Sequence, residues 1–107
     1  MAEKKLNILI VGLGKGGTAL IAIFNSYEIV NILGVVDNNP AADGLKLAKT
    51  LKIQVAAHWK EFLNNKDLEV VIDVTGSPDV YKTLLKEFPE HVNVISGNAA
   101  KIIWMMY

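Results

Sequence analysis

Three glycines between positions 12 and 17 carry the clearest chemical signal in the sequence. They follow the pattern G-x-G-x-x-G, directly after an apolar run. A turn of this kind leaves backbone N–H groups free at the start of a helix, where the partial positive charge of the helix attracts phosphate. The pattern predicts a pyrophosphate-binding turn in this context. Its members are Gly12, Leu13, Gly14, Lys15, Gly16 and Gly17.

Each glycine of the pattern has a separate predicted role. Gly12 permits the tight turn out of the strand, and Gly14 lets the backbone approach a pyrophosphate. Gly17 allows the following helix to pack closely against the sheet. A bare strand–helix connection without a ligand is the alternative, but three correctly spaced glycines exceed what such a connection needs.

Asp37 is the second candidate binding residue, and it ends the second apolar run 20 residues after Gly17. A carboxylate at this position accepts hydrogen bonds from the adenosine ribose and repels a 2′-phosphate. All eleven cationic side chains are lysine, so no arginine is present to accommodate that phosphate. Asp37, with its neighbour Asn38, therefore favours NAD over NADP. An ordinary aspartate in a D-N-N-P turn is the alternative, and coenzyme A or S-adenosylmethionine would offer the same ribose.

Two further polar segments follow the later apolar runs of the chain. Ligands of doubly wound sheets lie across the carboxyl ends of the strands, so both segments are predicted to line the cofactor site. Ser77, placed before Pro78, also has the pattern of a helix cap, and the two roles are compatible. The predicted residues are Thr75, Gly76 and Ser77 in the first segment, and Ser96 and Gly97, with their neighbour Asn98, in the second.

No residue is predicted to be catalytic, and no metal site is predicted. The chain contains no cysteine, which excludes thiolate chemistry, disulfides and cysteine-based metal centres. His58 and His91 have no partner pattern of a base or a metal ligand, so each is expected to be a surface or capping residue. Asp73 lies in an apolar strand and is expected to be hydrogen-bonded near the end of the sheet.

Strands and helices alternate in the pattern of apolar residues. This alternation, with short apolar strands, predicts a parallel sheet covered by helices. The expected fold is α/β, a doubly wound five-stranded sheet of order 3-2-1-4-5 with helices on both faces, in a single domain of 107 residues. Periodicity leaves the flavodoxin-like order 2-1-3-4-5 open, and the glycine motif favours the first. The predicted strands are 6–11, 30–36, 53–56, 70–74 and 92–95, and the predicted helices are 15–26, 44–52, 59–63, 79–88 and 99–107, with Asp43 as the cap of the second.

Composition limits the partners that the chain can be expected to have. The formal net charge is zero, which gives no indication of nucleic-acid or membrane binding, and a cytoplasmic location is expected. The run Ile102–Tyr107 is apolar throughout. Such a run at a chain end predicts a partner, either a covalently linked downstream domain or a second copy in a homodimer. The chain is therefore expected to be a piece of a longer protein.

Three segments also resemble known protein families. Residues 6–17, 29–40 and 70–78 resemble the N-terminal NAD(P)-binding domain of the Gfo/Idh/MocA oxidoreductases and of dihydrodipicolinate reductase, and are similar to the NAD(H)-binding domain of the redox-sensing repressor Rex. The segment 95–104 resembles Rossmann modules at the N-terminus of bacterial sensor proteins with PAS or histidine-kinase regions. The resemblance implies a Rossmann fold with a dinucleotide cofactor.

The sequence also departs from these families. Ser96-Gly97 stands where Gfo/Idh/MocA enzymes typically have Lys-Pro, and neither the substrate domain of these enzymes nor the winged-helix domain of Rex is expected within these 107 residues. The resemblance therefore implies an NAD(H)-binding module that is not catalytic on its own. The expected role is regulatory or sensory, in redox sensing and signal transduction by a larger bacterial protein. The alternative is the cofactor-binding half of an NAD(P)-dependent oxidoreductase.

Overall fold

The structure, a computed structural model, describes residues 4–106 and alternates strands with helices along the chain. These residues contain five strands, four α-helices and one short 3-10 helix. The strands are β1 Leu6–Val11, β2 Val30–Val36, β3 Val55–Ala56, β4 Val70–Asp73 and β5 Asn93–Ile95. The helices are α1 Lys15–Asn25, α2 Leu45–Thr50, the 3-10 helix Trp59–Phe62, α3 Pro78–Glu87 and α4 Gly97–Met106.

The five strands form one parallel sheet of order β3-β2-β1-β4-β5. The predicted doubly wound order is therefore confirmed. At its carboxyl end β1 is in register with both neighbours, since Val11 lies opposite Val36 of β2 and opposite Asp73 of β4. The turns that follow β1, β2 and β4 consequently meet at one edge of the sheet, with β1 in the middle.

Helices cover both faces of the sheet, as predicted. On one face, Ile8 and Ile10 of β1 pack with Leu20 of α1, Ala48 of α2 and Ala100 of α4. On the other face, the 3-10 helix and α3 cover the sheet. The strands are apolar on both sides because both sides are buried. The buried side chains of this second face are Leu9, Val11, Val36, Ala56, Phe62, Leu68, Val71, Leu84, Phe88 and Val92.

Phe62 packs against the sheet over Gly34 of β2. A Cβ at Gly34 would overlap the ring of Phe62, whose side chain is buried. The glycine therefore provides the space for the aromatic ring, and the sheet and the 3-10 helix approach each other more closely than any larger residue at position 34 would allow.

The starts of α2, α3 and α4 differ from the sequence prediction, and α3 begins one residue early, at Pro78. Asp43 was expected to cap the second helix, and this is wrong: the cap of α2 is Gly44, and no side chain accepts a capping hydrogen bond there. The Gly44 N–H instead donates to the Leu13 carbonyl at 2.7 Å. The last helix begins at Gly97, two residues before the predicted start, and the Ala100 N–H donates to the Ser96 carbonyl at 2.9 Å.

The apolar run at the end of the chain is only partly covered. Ile103 is half-buried and packs on the α1 face, whereas Ile102, Met105 and Met106 are exposed. Tyr107 lies outside the described residues. The partner expected for this run stays a prediction. None of the helices described between residues 4 and 106 has the length and apolarity that crossing a membrane requires.

Candidate dinucleotide-binding site

The glycine turn joins β1 to α1 and is shaped by close backbone contacts. Gly12 has φ +107°, a conformation that favours glycine. A Cβ at Gly17 would overlap the Gly12 carbonyl oxygen, so helix and turn touch without room for a side chain. A Cβ at Gly14 would meet no heavy atom within 4 Å. The turn is therefore tightly packed where Gly12 meets Gly17. The space above Gly14, on the side where a Cβ would point, is open.

The open side of the turn is the N-terminus of α1, an 11-residue helix. The first N–H groups of a helix have no acceptor within the helix. No side chain caps α1, and its first turn carries no acidic residue. Lys15 is exposed at the first helical position and Gly16 is half-buried behind it. The helix thus presents unpaired donors and a partial positive charge to the space above Gly14.

Asp37 follows β2 and lies against this turn. Its Oδ2 accepts a hydrogen bond from the Leu13 N–H at 2.8 Å, and its Oδ1 accepts one from the Asn39 N–H at 2.9 Å. A carboxylate has about four acceptor positions, so each oxygen retains capacity for a further donor. Asn38 is exposed beside it. The structure therefore brings the predicted acid and the glycine turn together.

Leu13 contributes to this site through its backbone. Its side chain is fully buried. Its N–H binds Asp37, and its carbonyl accepts the hydrogen bond from Gly44. The backbone of Leu13 therefore ties the glycine turn to the residue that follows β2 and to the residue that precedes α2. Its side chain is not available to a ligand.

The turn after β4 is organised around Asp73, which is 3% exposed. Its Oδ1 accepts hydrogen bonds from the Thr75 N–H at 2.9 Å and from the Thr75 hydroxyl at 2.7 Å. The expected hydrogen-bonded role of Asp73 is confirmed. The Thr75 hydroxyl also accepts the Ser77 N–H at 3.2 Å. Gly76 has φ +75° and an open position for a Cβ.

Ser77 caps α3, as its pattern predicted. Its hydroxyl accepts the Val80 N–H at 3.3 Å, and Pro78 follows as the first helical residue. His58 caps the 3-10 helix in a similar way, since its Nδ1 accepts the Lys60 N–H at 3.1 Å. The capping role of His58 is therefore confirmed, and His91 is exposed.

The ends of β4 and β5 enclose a cleft of about 530 Å³. Ser77, Ser96 and Gly97 line it, whereas Thr75 does not. The cleft adjoins the glycine turn, because a Cβ at Gly12 would lie 3.1 Å from the carbonyl carbon of Val74, which lines the cleft. The full lining is Asp73, Val74, Gly76, Ser77, Pro78, Tyr81, Ser96, Gly97 and Asn98.

Solved structures share this architecture, although no protein-family model and no curated protein matches the sequence. GenD2 from gentamicin A biosynthesis, solved in complex with NAD, matches with a TM-score of 0.73 and 19% identity over 90% of this chain. Scyllo-inositol dehydrogenase from Lactobacillus casei matches with a TM-score of 0.69 and 23% identity over 90% of the chain. An NAD-binding protein from Listeria innocua matches with a TM-score of 0.68 and 17% identity over 87% of the chain.

The chain has a Rossmann fold. The matches cover only 27% of GenD2, 29% of scyllo-inositol dehydrogenase and 27% of the Listeria protein, so this Rossmann domain spans little more than a quarter of each. At these identities the likeness establishes the fold. The resemblance to Gfo/Idh/MocA oxidoreductases agrees with these neighbours, while the resemblance to PAS or histidine-kinase sensors finds no support among them.

Not every residue of the site was predicted from the sequence. Gly44 lies against the glycine turn, where a Cβ would meet the Thr18 hydroxyl at 2.8 Å. No local pattern marks this contact, because it joins segments far apart in the chain. Tyr81 lines the cleft, as does Asn98, which was predicted beside Ser96 and Gly97. Helical spacing could have indicated Tyr81, since it lies four residues after Ser77 on the same face of α3.

Proposed function

We propose that this Rossmann domain binds NAD(H), with the pyrophosphate on the first turn of α1 and the adenosine ribose on Asp37. The observation that carries the proposal is the open, uncapped N-terminus of α1 above Gly14, beside a carboxylate with free acceptor capacity. Free N–H groups and the helix dipole suit a diphosphate. The remaining lone pairs of Asp37 suit the two ribose hydroxyls. The NAD bound to GenD2, a protein of the same fold, supports this choice of ligand.

NAD is proposed over NADP on electrostatic grounds. A 2′-phosphate would approach the carboxylate of Asp37, and like charges at such a distance repel. The chain has no arginine to offset that charge with a bidentate contact. Residues 12–17, Asp37 and Asn38 form the proposed adenosine diphosphate half of the site. Gly76, Ser77, Ser96 and Gly97 form the proposed other half, with Thr75 holding the β4 turn in place.

We further propose that the domain supplies the cofactor half of an oxidoreductase. The support comes from the solved neighbours, since scyllo-inositol dehydrogenase is named for a dehydrogenase activity and shares this fold. Hydride transfer also requires groups that orient a substrate against the nicotinamide. Such groups would come from outside this chain. A regulatory role in redox sensing is the competing function, and it requires that ligand binding favours one of two conformations or assembly states.

Calorimetric titration with NADH, NADPH, coenzyme A and S-adenosylmethionine tests the ligand. We expect NADH to bind most tightly and NADPH more weakly. The matched variant is Gly14→Val, whose side chain fills the open space above the turn and should abolish NADH binding while thermal unfolding stays cooperative. NADH binding by Gly14→Val at full strength, or no dinucleotide binding by the unaltered chain, would overturn the proposal.

Sedimentation and hydrogen exchange, measured with saturating NAD⁺ or NADH, distinguish a cofactor domain from a redox-sensing domain. A cofactor domain should show protection confined to the ligand site and the same mass with either form. A change of assembly state, or protection that spreads to a distant element with only one of the two forms, would favour sensing.

A further inference from the structure

The cleft beyond the glycine turn contains one unusual group, the carboxylate of Asp73. Both described hydrogen bonds to this side chain use Oδ1, and Oδ2 has no described partner. Among the described side chains of residues that are not exposed, no nitrogen or oxygen is both fully buried and unbonded. Oδ2 of this 3% exposed residue must therefore keep a small accessible surface. The cleft is the space that Asp73 lines.

The residues that line the cleft carry a negative charge and no positive one. Asp73 is the only charged residue among those that line it, and the other polar groups are neutral: Ser77, Tyr81, Ser96 and Asn98. A free carboxylate oxygen is an acceptor only, so it selects hydrogen-bond donors or cations. In a cleft that excludes part of the bulk water, such a charge acts more strongly than it would on an open surface.

We propose that Asp73 binds the second nucleoside of the dinucleotide through Oδ2 and favours its oxidised form. This inference rests on the proposed function, which places the pyrophosphate on the adjoining glycine turn. From there the second nucleoside reaches the cleft and brings donors, either the ribose hydroxyls or the carboxamide NH₂. The nicotinamide ring is cationic in NAD⁺ and neutral in NADH. The negative charge of Asp73 therefore lowers the free energy of the complex with NAD⁺ more than that with NADH.

Asp73→Asn is the sharpest variant for this proposal. The asparagine Oδ1 can still accept both hydrogen bonds from Thr75, so the β4 turn is preserved. The free acceptor and the charge are both lost. Asp79→Asn is the matched control, because Asp79 is an exposed carboxylate in the first turn of α3 that does not line the cleft.

The test is calorimetric titration of both variants with NAD⁺, NADH, ADP-ribose and ADP. For Asp73→Asn we expect about a tenfold loss of NAD⁺ affinity, the scale of one hydrogen bond to a charged group. NADH should lose less, ADP should bind as before, and Asp79→Asn should keep all four affinities. A loss for ADP-ribose equal to that for NADH identifies a ribose hydroxyl as the donor, and an unchanged ADP-ribose affinity identifies the nicotinamide group. If Asp73→Asn kept its NAD⁺ and ADP affinities, only this inference would be overturned, whereas failure of the unaltered chain to bind NAD⁺, NADH and ADP would overturn the proposed function.

A second variant tests the charge without altering the β4 turn. Asn98 is exposed at the rim of the cleft, so Asn98→Lys adds a cation there with little effect on folding. We expect it to lower the ratio of NAD⁺ to NADH affinity. An unchanged ratio in both Asn98→Lys and Asp73→Asn contradicts a role for the charge, and the result for Asn98→Lys decides alone if Asp73→Asn does not fold.

Discussion

The Asp37 carboxylate holds the glycine turn by accepting the Leu13 N–H at 2.8 Å. Its other oxygen accepts the Asn39 N–H at 2.9 Å, so one side chain links the turns after β1 and β2. The proposed ribose acceptor is therefore fixed in position before any ligand arrives. A ligand that binds to a preorganised group avoids the entropy cost of ordering that group.

Replacing Asp37 with alanine should weaken NADH binding by about 1–3 kcal/mol, because the ribose hydroxyls lose a charged acceptor. Calorimetry with NADH measures the change. Asp43→Ala is the control, since Asp43 is an exposed carboxylate near the start of α2 that caps no helix. Unchanged NADH affinity in Asp37→Ala would remove this residue from the site, and an equal loss in Asp43→Ala would indicate a general effect of charge.

Much of this fold could be predicted from local sequence signals. Runs of apolar residues marked β1, β2 and β4 because these strands are buried on both faces. The G-x-G-x-x-G pattern and the position of Asp37 are likewise local. The strand order 3-2-1-4-5 followed from the glycine motif combined with right-handed crossovers.

Contacts between distant segments could not be predicted in this way. β3 contains only two residues, because this edge strand pairs with β2 alone and its length depends on that pairing. Gly44 replaced Asp43 as the cap of α2 because its N–H binds Leu13, 31 positions earlier in the sequence. The unbonded Oδ2 of Asp73 could not be predicted either, since the sequence does not show which carboxylate oxygen accepts the hydrogen bonds from Thr75.

Substitution by alanine should destabilise the domain much more at Gly17 than at Gly14. Gly17→Ala forces a Cβ onto the backbone of Gly12, and overpacking against backbone should cost about 3 kcal/mol or more of unfolding free energy. The Cβ of Gly14→Ala points into open space. This variant should lose only about 0.5–1 kcal/mol of unfolding free energy, the preference of a helix cap for glycine over alanine. Urea unfolding of both variants measures the difference. Equal costs would show that the turn can move away from α1.

Lys15 should contribute little to dinucleotide affinity. It is exposed at the start of α1, so any contact with a phosphate is screened by solvent. Lys15→Ala should therefore weaken NADH binding by less than about 1 kcal/mol, as is usual for exposed ion pairs. Calorimetry at low and high salt provides the measurement, with Lys46→Ala, at an exposed position of α2, as the control. A loss comparable to that of Gly14→Val would show that the lysine, rather than the backbone, holds the pyrophosphate.

Gly34 and Phe62 should be energetically coupled. Gly34→Ala directs a methyl group into the buried ring of Phe62, which should cost about 1–3 kcal/mol of unfolding free energy. Phe62→Leu replaces the ring with a smaller aliphatic side chain and leaves a cavity, which is destabilising on its own. In the double variant the methyl group occupies part of that cavity, so the combined cost should be smaller than the sum of the single costs. Urea unfolding of all four proteins gives the coupling energy. Strict additivity would mean that the 3-10 helix shifts away from the sheet to accommodate the methyl group.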